Sequence, residues 1–375
     1  MNDNGFSSAI VQKSIFIPGL HGLRGIAALA IVFYHLTHLT GIVPPLSFAF
    51  IGRDFGYGVH LFFILSAFSL THSTEPLLYK KRWVDEYLIK RFFRIAPLFY
   101  CMIFIELARQ LFFSGRVFHD FSTILLNFTF TFGFVPFSGF VWGGWSVGVE
   151  MIFYAFFPVL ILVIRSHRSA LLLLIISFIA SYCIRTVLHA QYLSTYPQPK
   201  WDWSYFSFAS NMCFFAMGLY AYHVSRFVDQ NWFLVKVFIP AAAVLIIGSL
   251  LFLNVGQMLY NGGRLDIAFW GIGLMALCIW QSLLPSYLIA NKFFEFLGER
   301  SFSIYLLHPM VIFVTEKSLA ELHSSLSTYI GSFAFFACAA AVIIGVLAVA
   351  ELAYRLIEVP GIRLGRRLIL KRRQT

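Results

Sequence analysis

Charged residues are scarce in this chain of 375 residues. Asp, Glu, Lys and Arg together make up 12% of the sequence, about half of the fraction found in soluble domains. Hydrophobic residues make up 59%, and the mean hydropathy is +0.78. This composition excludes an ordinary soluble domain and predicts a protein that is embedded in a lipid bilayer.

Several familiar functional motifs are also absent. The five cysteines all lie in apolar runs and form no CxxC pair. We interpret them as small buried hydrophobes, which say nothing firm about the redox compartment. Walker, GxSxG, GxGxxG and HExxH motifs and metal-binding Cys/His spacings do not occur. The sequence therefore predicts neither a metal site nor nucleotide hydrolysis.

Long apolar runs dominate the sequence instead. Ten segments meet or approach the roughly 20 residues that a transmembrane helix needs, namely 20–41, 56–73, 93–113, 145–164, 170–188, 205–223, 236–254, 265–284, 302–318 and 329–354. An eleventh run, 121–136, is short, so we predict a re-entrant or interfacial segment there. The predicted fold is an all-α polytopic membrane protein with about ten transmembrane helices around a central cavity.

The positive charges predict how these helices are oriented. With the N-terminus in the cytoplasm, 21 of the 28 Lys and Arg residues fall on the cytoplasmic side, as the positive-inside rule requires. The other seven are Arg53, Arg109, Arg116, Arg185, Lys200, Arg264 and Lys317. Both termini are therefore predicted to be cytoplasmic, and the net charge of +11 indicates topology rather than nucleic-acid binding.

Three regions follow from this topology. We expect a cytoplasmic N-terminal segment at 1–17, without a cleavable signal, and a membrane domain at 18–360. A basic cytoplasmic tail at 361–375 is expected to contact anionic lipid headgroups.

Arg24 and His35 both lie in the first apolar run, separated by ten uncharged residues. A helix rises about 1.5 Å per residue, so His35 would lie roughly 16 Å deeper than Arg24. An ionisable side chain at that depth is a candidate functional residue. Histidine suits both general-base and nucleophilic catalysis. A histidine that only forms hydrogen bonds between helices is the alternative.

Two further motifs bring charge to similar positions. Arg91 and Arg94 share one helix face at the start of the third span. With Arg24 they would present three guanidinium groups to a phosphate or a carboxylate, although ordinary positive-inside charge is the alternative. Glu150 lies in the fourth span at a depth similar to that of His35. It could orient the imidazole or pair with another buried donor.

Polar residues also open the ninth predicted span. Ser303, Tyr305 and His308 lie in its first turns, and the proline that follows frees a backbone carbonyl. Broken helices of this kind often line cavities, so we expect these side chains to line a substrate cavity. A kinked packing helix is the alternative. In the third span, Glu106 and Arg109 are spaced for an internal ion pair.

Six sequence blocks contain most of these polar residues. They are LHGLRGIAALAIVFYHL (20–36), GVHLFFILSAFSL (58–70), KRFFRIAPLFY (90–100), WSVGVEMIFYAFFP (145–158), LGERSFSIYLLHP (297–309) and IEVP (357–360). In this order they resemble the acyltransferase-3 family of integral membrane acyltransferases. The resemblance covers residues 18–365, and its combined motifs are far more specific than any one alone.

The resemblance implies transfer of an acyl group, commonly acetyl from acetyl-CoA, to a sugar hydroxyl of a bacterial surface glycan. Such glycans include the O-antigen of lipopolysaccharide and exopolysaccharides, which implies a location in the bacterial inner membrane. The family pattern makes His35 essential. It places Arg24, Arg91 and Arg94 near CoA. Ala67 stands where the family usually has Gly, which tightens or fills a close helix contact.

The sequence therefore predicts a membrane O-acyltransferase. Acyl-CoA would dock with its phosphates near the three arginines, and His35, backed by Glu150, would act as general base or carry the acyl group. We expect the chain to lack the hydrolase-like domain of some family members, so the lipid-linked or surface glycan would be handled by the membrane domain or a separate partner. A secondary transporter or flippase for an anionic lipid-linked sugar is the alternative.

Overall fold

The computed structural model of the chain describes residues 16–195, 203–229, 231–253, 255 and 265–374. Every regular element in these ranges is helical, which confirms the predicted all-α fold. Most of the predicted N-terminal segment 1–17 lies outside the described residues.

Fifteen α-helices succeed one another in the described ranges. They are α1 Pro18–Thr40, α2 Phe50–Asp54, α3 Gly58–Thr74, α4 Trp83–Ser114, α5 Phe121–Phe128, α6 Trp145–Val163, α7 His167–Thr195, α8 Trp203–Phe206, α9 Phe208–Phe227, α10 Phe233–Phe252, α11 Asp266–Leu283, α12 Lys292–Glu299, α13 Ser301–Ile330, α14 Ala334–Ala353 and α15 Val359–Gln374.

Seven helical stretches within the described residues are long and apolar enough to cross a membrane. They are Pro18–Thr40, Leu46–Leu77, Trp145–Val163, His167–Gln191, Val235–Phe252, Asp266–Leu283 and Ser301–Arg373, the last of which contains both α13 and α14. The predicted spans 93–113 and 205–223 lie in α4 and α9, outside these seven. The multi-pass character is confirmed, whereas the count of ten and the cytoplasmic termini stay predictions.

Two predicted spans have different boundaries in the structure. Ser207 interrupts the run 205–223, because its backbone is extended and its Oγ accepts a hydrogen bond from the N–H of Ser210. A serine in this position caps a new helix. Further along, α13 continues to Ile330, and Gly331 ends it with a φ of +57°. The last predicted span therefore begins later than the apolar run suggests.

The run 121–136 forms no helix that could cross a membrane. α5 has 8 residues, and a short 3-10 turn at Thr131–Phe134 follows it. Eight residues rise about 12 Å, less than half the thickness of the hydrocarbon core. This confirms that the segment is not a spanning helix, and its insertion into the bilayer stays a prediction. The segment joins the end of α4 to the start of α6.

Helices α3 and α9 pack in close backbone contact. A Cβ atom at Gly218 of α9 would lie 2.2 Å from the carbonyl oxygen of Ile64 and 2.8 Å from Cβ of Ala67, both on α3. Small residues allow membrane helices to approach in this way. Gly218 therefore supplies the space for the contact, and Ala67 fills it from the other side.

The last described helix, α15, packs on the beginning of α4. A π-helical turn at Tyr354–Glu358 joins α14 to α15. A Cβ at Gly361 would lie 2.9 Å from the carbonyl oxygen of Phe93. Near the other end of α15, Nε and Nη2 of Arg373 each donate to Glu86 at 2.7 Å. The predicted tail is thus held against α4, and its contact with headgroups stays a prediction.

Candidate active site

Side chains from five helices line a cavity of about 60 Å³, which we call the arginine cavity. Its polar lining consists of Arg24, Ser66, Arg91, Arg94, Ser146, Glu150, Tyr154, Ser301 and Tyr305. Helices α1, α3, α4, α6 and α13 contribute these residues. The structure therefore brings together five residues that the sequence singled out, the three arginines, Glu150 and Tyr305.

The three arginines line this cavity without forming an ion pair among the described residues. Arg91 and Arg94 are about one turn apart on α4, and Arg24 comes from α1. None of the ion pairs among the described residues involves them. Nε of Arg91 is buried without a hydrogen bond, and its guanidinium lies 5.9 Å from the ring centroid of Tyr154. Partly desolvated guanidinium groups that form no ion pair favour an anionic ligand.

Two hydroxyl groups hold Glu150 in the same cavity. Oγ of Ser66 donates to Oε1 of Glu150 at 2.5 Å, and the hydroxyl of Tyr154 donates to the same oxygen. Within the described ranges, no hydrogen bond joins Glu150 to His35. The direct contact expected between this acid and His35 is therefore absent. The carboxylate instead lies close enough to Arg24 to attract its charge.

His35 pairs with a second histidine, His308. Nδ1 of His35 lies 3.0 Å from Nε2 of His308 and 3.1 Å from the carbonyl oxygen of Ile31. Nδ1 of His308 lies 3.3 Å from the carbonyl oxygen of Ile304. His308 is fully buried, whereas His35 is half-buried. The sequence singled out both histidines but did not predict that they touch.

These contacts assign a tautomer to each ring. A carbonyl oxygen only accepts, so we assign a proton to Nδ1 of each histidine. The Nδ1–H of His308 is directed at Ile304, and that of His35 is shared between the carbonyl oxygen of Ile31 and Nε2 of His308. Nε2 of His35 keeps its lone pair, and no described residue donates to it. The arrangement leaves an imidazole base for an external hydroxyl.

Tyr305 connects the histidine pair to the arginine cavity. It lines the cavity and lies about one turn before His308 on α13, with the two ring centroids 5.9 Å apart. Its hydroxyl accepts a hydrogen bond from Oγ of Ser146 at 2.7 Å and donates to the carbonyl oxygen of Gly143 at 2.9 Å. Both hydrogen-bonding functions of the phenol are therefore used, which fixes its position.

Ser303 does not line the arginine cavity. Its Oγ donates to Glu358, a fully buried carboxylate in the π-helical turn before α15. Arg94 lies close enough to Glu358 to attract it. The pair Ser303–Glu358 is therefore a buried packing contact outside the cavity lining, and its acid comes from the IEVP block, for which we predicted no role.

Sequence reasoning missed four hydroxyl residues of the site, Ser66, Ser146, Tyr154 and Ser301. Two of them carried a signal, because Ser146 and Tyr154 lie four residues before and after Glu150 on one helix. That spacing puts all three on the same helix face. Ser66 carried no such signal, because its contact with Glu150 depends on how α3 packs against α6.

Other charged residues form ion pairs outside the arginine cavity. Arg109 and Glu106 form the predicted ion pair, with Nη2 of Arg109 2.6 Å from Oε1 of Glu106. Glu351 pairs with Arg300 and with Arg355. These contacts are structural and lie outside the arginine cavity. Within the described ranges, no group of three or more His, Cys, Asp or Glu side chains is placed to hold a metal ion.

Comparison with known proteins places the chain in a family. Residues 17–351 match the family model described as an acyltransferase domain, that of acyltransferase 3. No solved structure matches the chain significantly.

Three relatives show the extent of the similarity. An O-acetyltransferase OatA of Staphylococcus aureus is 24% identical over 92% of this chain and 57% of its own length. A peptidoglycan O-acetyltransferase OatA of Listeria monocytogenes is 26% identical over 92% of this chain and 56% of its own. A putative O-acetyltransferase of Staphylococcus aureus, SACOL0978, is 25% identical over 93% and 58%. The chain thus spans less than two thirds of the length of these relatives. Because the family model covers nearly all of the described residues, the chain belongs to the acyltransferase-3 family.

Proposed function

We propose that this protein is a membrane O-acyltransferase that moves an acetyl group from acetyl-CoA to a hydroxyl of a bacterial surface glycan. The observation that carries the proposal is the free Nε2 of His35, on the helix that also supplies Arg24 to the arginine cavity. Eleven residues are almost a whole number of helical turns, so both residues lie on one face of α1. A base and an anion site are thus presented along one side of a single helix.

The arginine cavity is proposed as the donor site. CoA carries phosphates, and guanidinium groups bind phosphate oxygens through charge-assisted hydrogen bonds. Arg24, Arg91 and Arg94 form no ion pair among the described residues, so they can bind phosphates without first breaking one. Tyr305, which lines this cavity and lies about one turn before His308, supports a position of the histidine pair beside the thioester end of the donor.

The proposed chemistry uses one proton acceptor. Nε2 of His35 takes the proton of the acceptor hydroxyl, the resulting oxygen attacks the thioester carbonyl, and the carbon–sulfur bond breaks. The imidazolium returns the proton to the departing thiolate. His308 accepts from Nδ1–H throughout and keeps the ring oriented, as the acid does in other histidine-based sites. Transfer through an acetylated His35 uses the same nitrogen and is the second possible route.

The acceptor is proposed from the relatives. Their names specify O-acetylation, and one specifies peptidoglycan. We propose a hydroxyl of an envelope glycan or its lipid-linked precursor, and a location in the bacterial inner membrane with about ten spans and both termini in the cytoplasm. The donor would then bind from the cytoplasmic side and the acceptor from the other.

Transfer of radiolabelled acetyl groups by the purified full chain in lipid nanodiscs tests the proposal. Envelope glycans from a strain that lacks the protein serve as acceptors. We expect wild type to label them and His35→Gln to be slower by roughly 10²–10⁴-fold. His323→Gln, on the distal part of α13, is the matched control and should keep the wild-type rate. Full activity of His35→Gln would show that this histidine is not the base.

Donor binding is tested separately by thermal unfolding. Acetyl-CoA should raise the Tm of wild type, because a ligand that binds only the folded state stabilises it. Arg91→Ala should reduce that shift, whereas Arg168→Ala, exposed at the start of α7, should not. A transporter for a lipid-linked sugar would show no response to CoA. That result, together with unchanged acetyl signals in the glycan NMR spectrum of a deletion strain, would contradict the proposed function.

A further inference from the structure

A second and larger cavity, of about 290 Å³, opens beside the start of α6. We call it the aromatic cleft, and its walls are the rings of Phe132, Phe137, Trp142, Trp145, Trp203 and Phe206. Among the described residues, no charged side chain lines it. The described lining therefore offers no partner for the phosphates of the donor and suits an uncharged ligand.

The chain that forms this cleft is held in an uncommon backbone conformation. Phe130 and Phe137 have φ values of 58° and 57°, a region that non-glycine residues rarely adopt. Buried Asn127 fixes the segment between them, because its Nδ2 donates to the carbonyl oxygen of Ser138 at 2.7 Å. Strained backbone that is held in this way concentrates at functional sites. The cleft is therefore built before any ligand arrives.

The aromatic cleft contacts α13, the helix that carries His308. Gly143 lines the cleft, and its carbonyl oxygen accepts the 2.9 Å hydrogen bond from the hydroxyl of Tyr305. A Cβ at Gly143 would lie 3.8 Å from Pro309, the residue after His308. Tyr305 thus faces the arginine cavity and also contacts the cleft.

The lining matches the surface of a sugar ring. Trp142 and Phe137 are 50% and 54% exposed, so their faces are accessible. Glycines at 133, 139 and 143 leave backbone polar groups at the cleft surface. A pyranose ring has one apolar C–H face, which packs on an aromatic ring, and a rim of hydroxyls, which form hydrogen bonds. Aromatic walls with a few polar groups are the usual composition of such pockets.

We infer that the aromatic cleft binds a neutral sugar ring of the acceptor glycan and directs one of its hydroxyls toward His35. This inference rests on the proposed function for the identity of the acceptor. It adds the place where the acceptor binds, on the side of the molecule where α4 ends and α6 begins. The two substrates then approach the histidine pair from different cavities.

Direct binding and transfer kinetics together test the inference. The binding probes are neutral tetrasaccharides of N-acetylglucosamine, glucose and mannose, followed by tryptophan fluorescence of the full chain in nanodiscs. We expect at least one to bind wild type and to bind Trp142→Ala about tenfold more weakly, the loss of one good ring contact. Phe121→Ala, 79% exposed on α5 outside the cleft, is the matched control and should bind as wild type does. Trp142→Phe should restore most of the affinity.

The transfer assay separates failure of this inference from failure of the proposed function. Trp142→Ala should raise KM for the glycan about tenfold and leave the acetyl-CoA shift in Tm unchanged. If wild type transfers acetyl groups but Trp142→Ala has an unchanged KM, the cleft is not the acceptor site although the enzyme assignment stands. If tetrasaccharides bind in the cleft and no acetyl transfer occurs, the proposed function is wrong. A KM effect seen only with lipid-linked acceptors would mean that the cleft binds the lipid, which overturns the sugar assignment.

Discussion

Nε2 of His308 lies 3.0 Å from Nδ1 of His35, although 273 residues separate them in the chain. This contact makes His308 a positioning residue, because it touches the proposed base and leaves the free Nε2 of His35 to the substrate. Replacing it with leucine removes the acceptor for Nδ1–H without opening a large cavity. We expect His308→Leu to lower kcat roughly 10- to 100-fold, the usual cost of losing such a partner.

The kinetic signature distinguishes this role from a structural one. KM for acetyl-CoA should not change in His308→Leu, since the arginine cavity is intact. His308→Gln, whose amide oxygen can still accept from Nδ1–H, should recover part of the lost kcat. If His308→Leu loses activity only in proportion to its lower Tm, and His308→Gln recovers none of it, then His308 has only a packing role.

Glu150 receives both of its hydroxyl hydrogen bonds on one oxygen, Oε1. Glu150→Gln can therefore keep both bonds and remove only the charge. We expect a Tm near that of wild type and tighter binding of CoA, with a stronger dependence on salt, because the arginines lose a neighbouring anion. Glu150→Ala leaves the hydroxyls of Ser66 and Tyr154 unpaired and should cost about 1–3 kcal/mol of stability.

Activity then decides what the carboxylate does. If Glu150→Gln binds CoA more tightly and still transfers acetyl groups, the acid only balances charge. If it binds CoA and turns over at least a hundredfold more slowly, the acid takes part in the chemistry although it does not touch His35.

Replacing glycine with alanine should have opposite effects on the free energy of unfolding at Gly218 and at Gly248. A Cβ at Gly218 would lie 2.2 Å from the carbonyl oxygen of Ile64, so Gly218→Ala must push α9 away from α3 and should cost about 1–3 kcal/mol. A Cβ at Gly248 would meet nothing within 4 Å. Gly248→Ala should stabilise α10 by up to about 1 kcal/mol, from helix propensity.

Thermal unfolding in one detergent, with both variants side by side, checks this prediction. Ala67→Gly should not rescue Gly218→Ala, because the clash is with backbone and not only with the methyl group of Ala67. A rise in Tm for Gly218→Ala would show that α3 and α9 are not packed as described.

The bond between Arg373 and Glu86 should make the docking of α15 dependent on pH. Hydrogen bonding to Arg373 lowers the pKa of Glu86 below its value in the unfolded chain. The stabilisation is therefore complete above the unfolded pKa and is lost as the pH falls through the folded pKa. At neutral pH it should amount to about 1 kcal/mol or less, because Arg373 is half-exposed.

A pH series of Tm values measures this contribution. The difference in Tm between wild type and Glu86→Gln should shrink in acid, and Arg373→Gln should behave as Glu86→Gln does. A difference that stays constant from neutral to acid pH would mean that the ion pair does not stabilise the docked helix.

The sequence predicts the helices better than the contacts between them. Apolar length identifies a membrane helix without any tertiary information, so the runs that became α1, α6 and α11 were found almost to the residue. The sequence does not predict the break at Ser207. A serine inside an apolar run interrupts a helix only where its side chain caps the next one, and the sequence does not show where that happens. The charged residues could be singled out because a charge inside the bilayer costs free energy and is therefore rare in an apolar run.

The pairing inside the site could not be predicted in the same way. His35 and Glu150 were matched by depth alone, and depth does not give rotation about the helix axis. The packing of α13 beside α1 puts His308 next to His35, while Glu150 on α6 faces Ser66 on α3. Contacts between side chains of different helices depend on how distant segments pack, and the hydrophobic pattern within one segment does not predict this packing.

The docking of α15 has a mechanical consequence. Gly361 and Gly365 both press on Phe93, which lies between Arg91 and Arg94 on α4. α15 therefore packs against the turn of α4 that carries the two guanidinium groups. We expect a displacement of α15 to shift this turn, so a label attached to the basic tail should respond to changes in the position of the arginines.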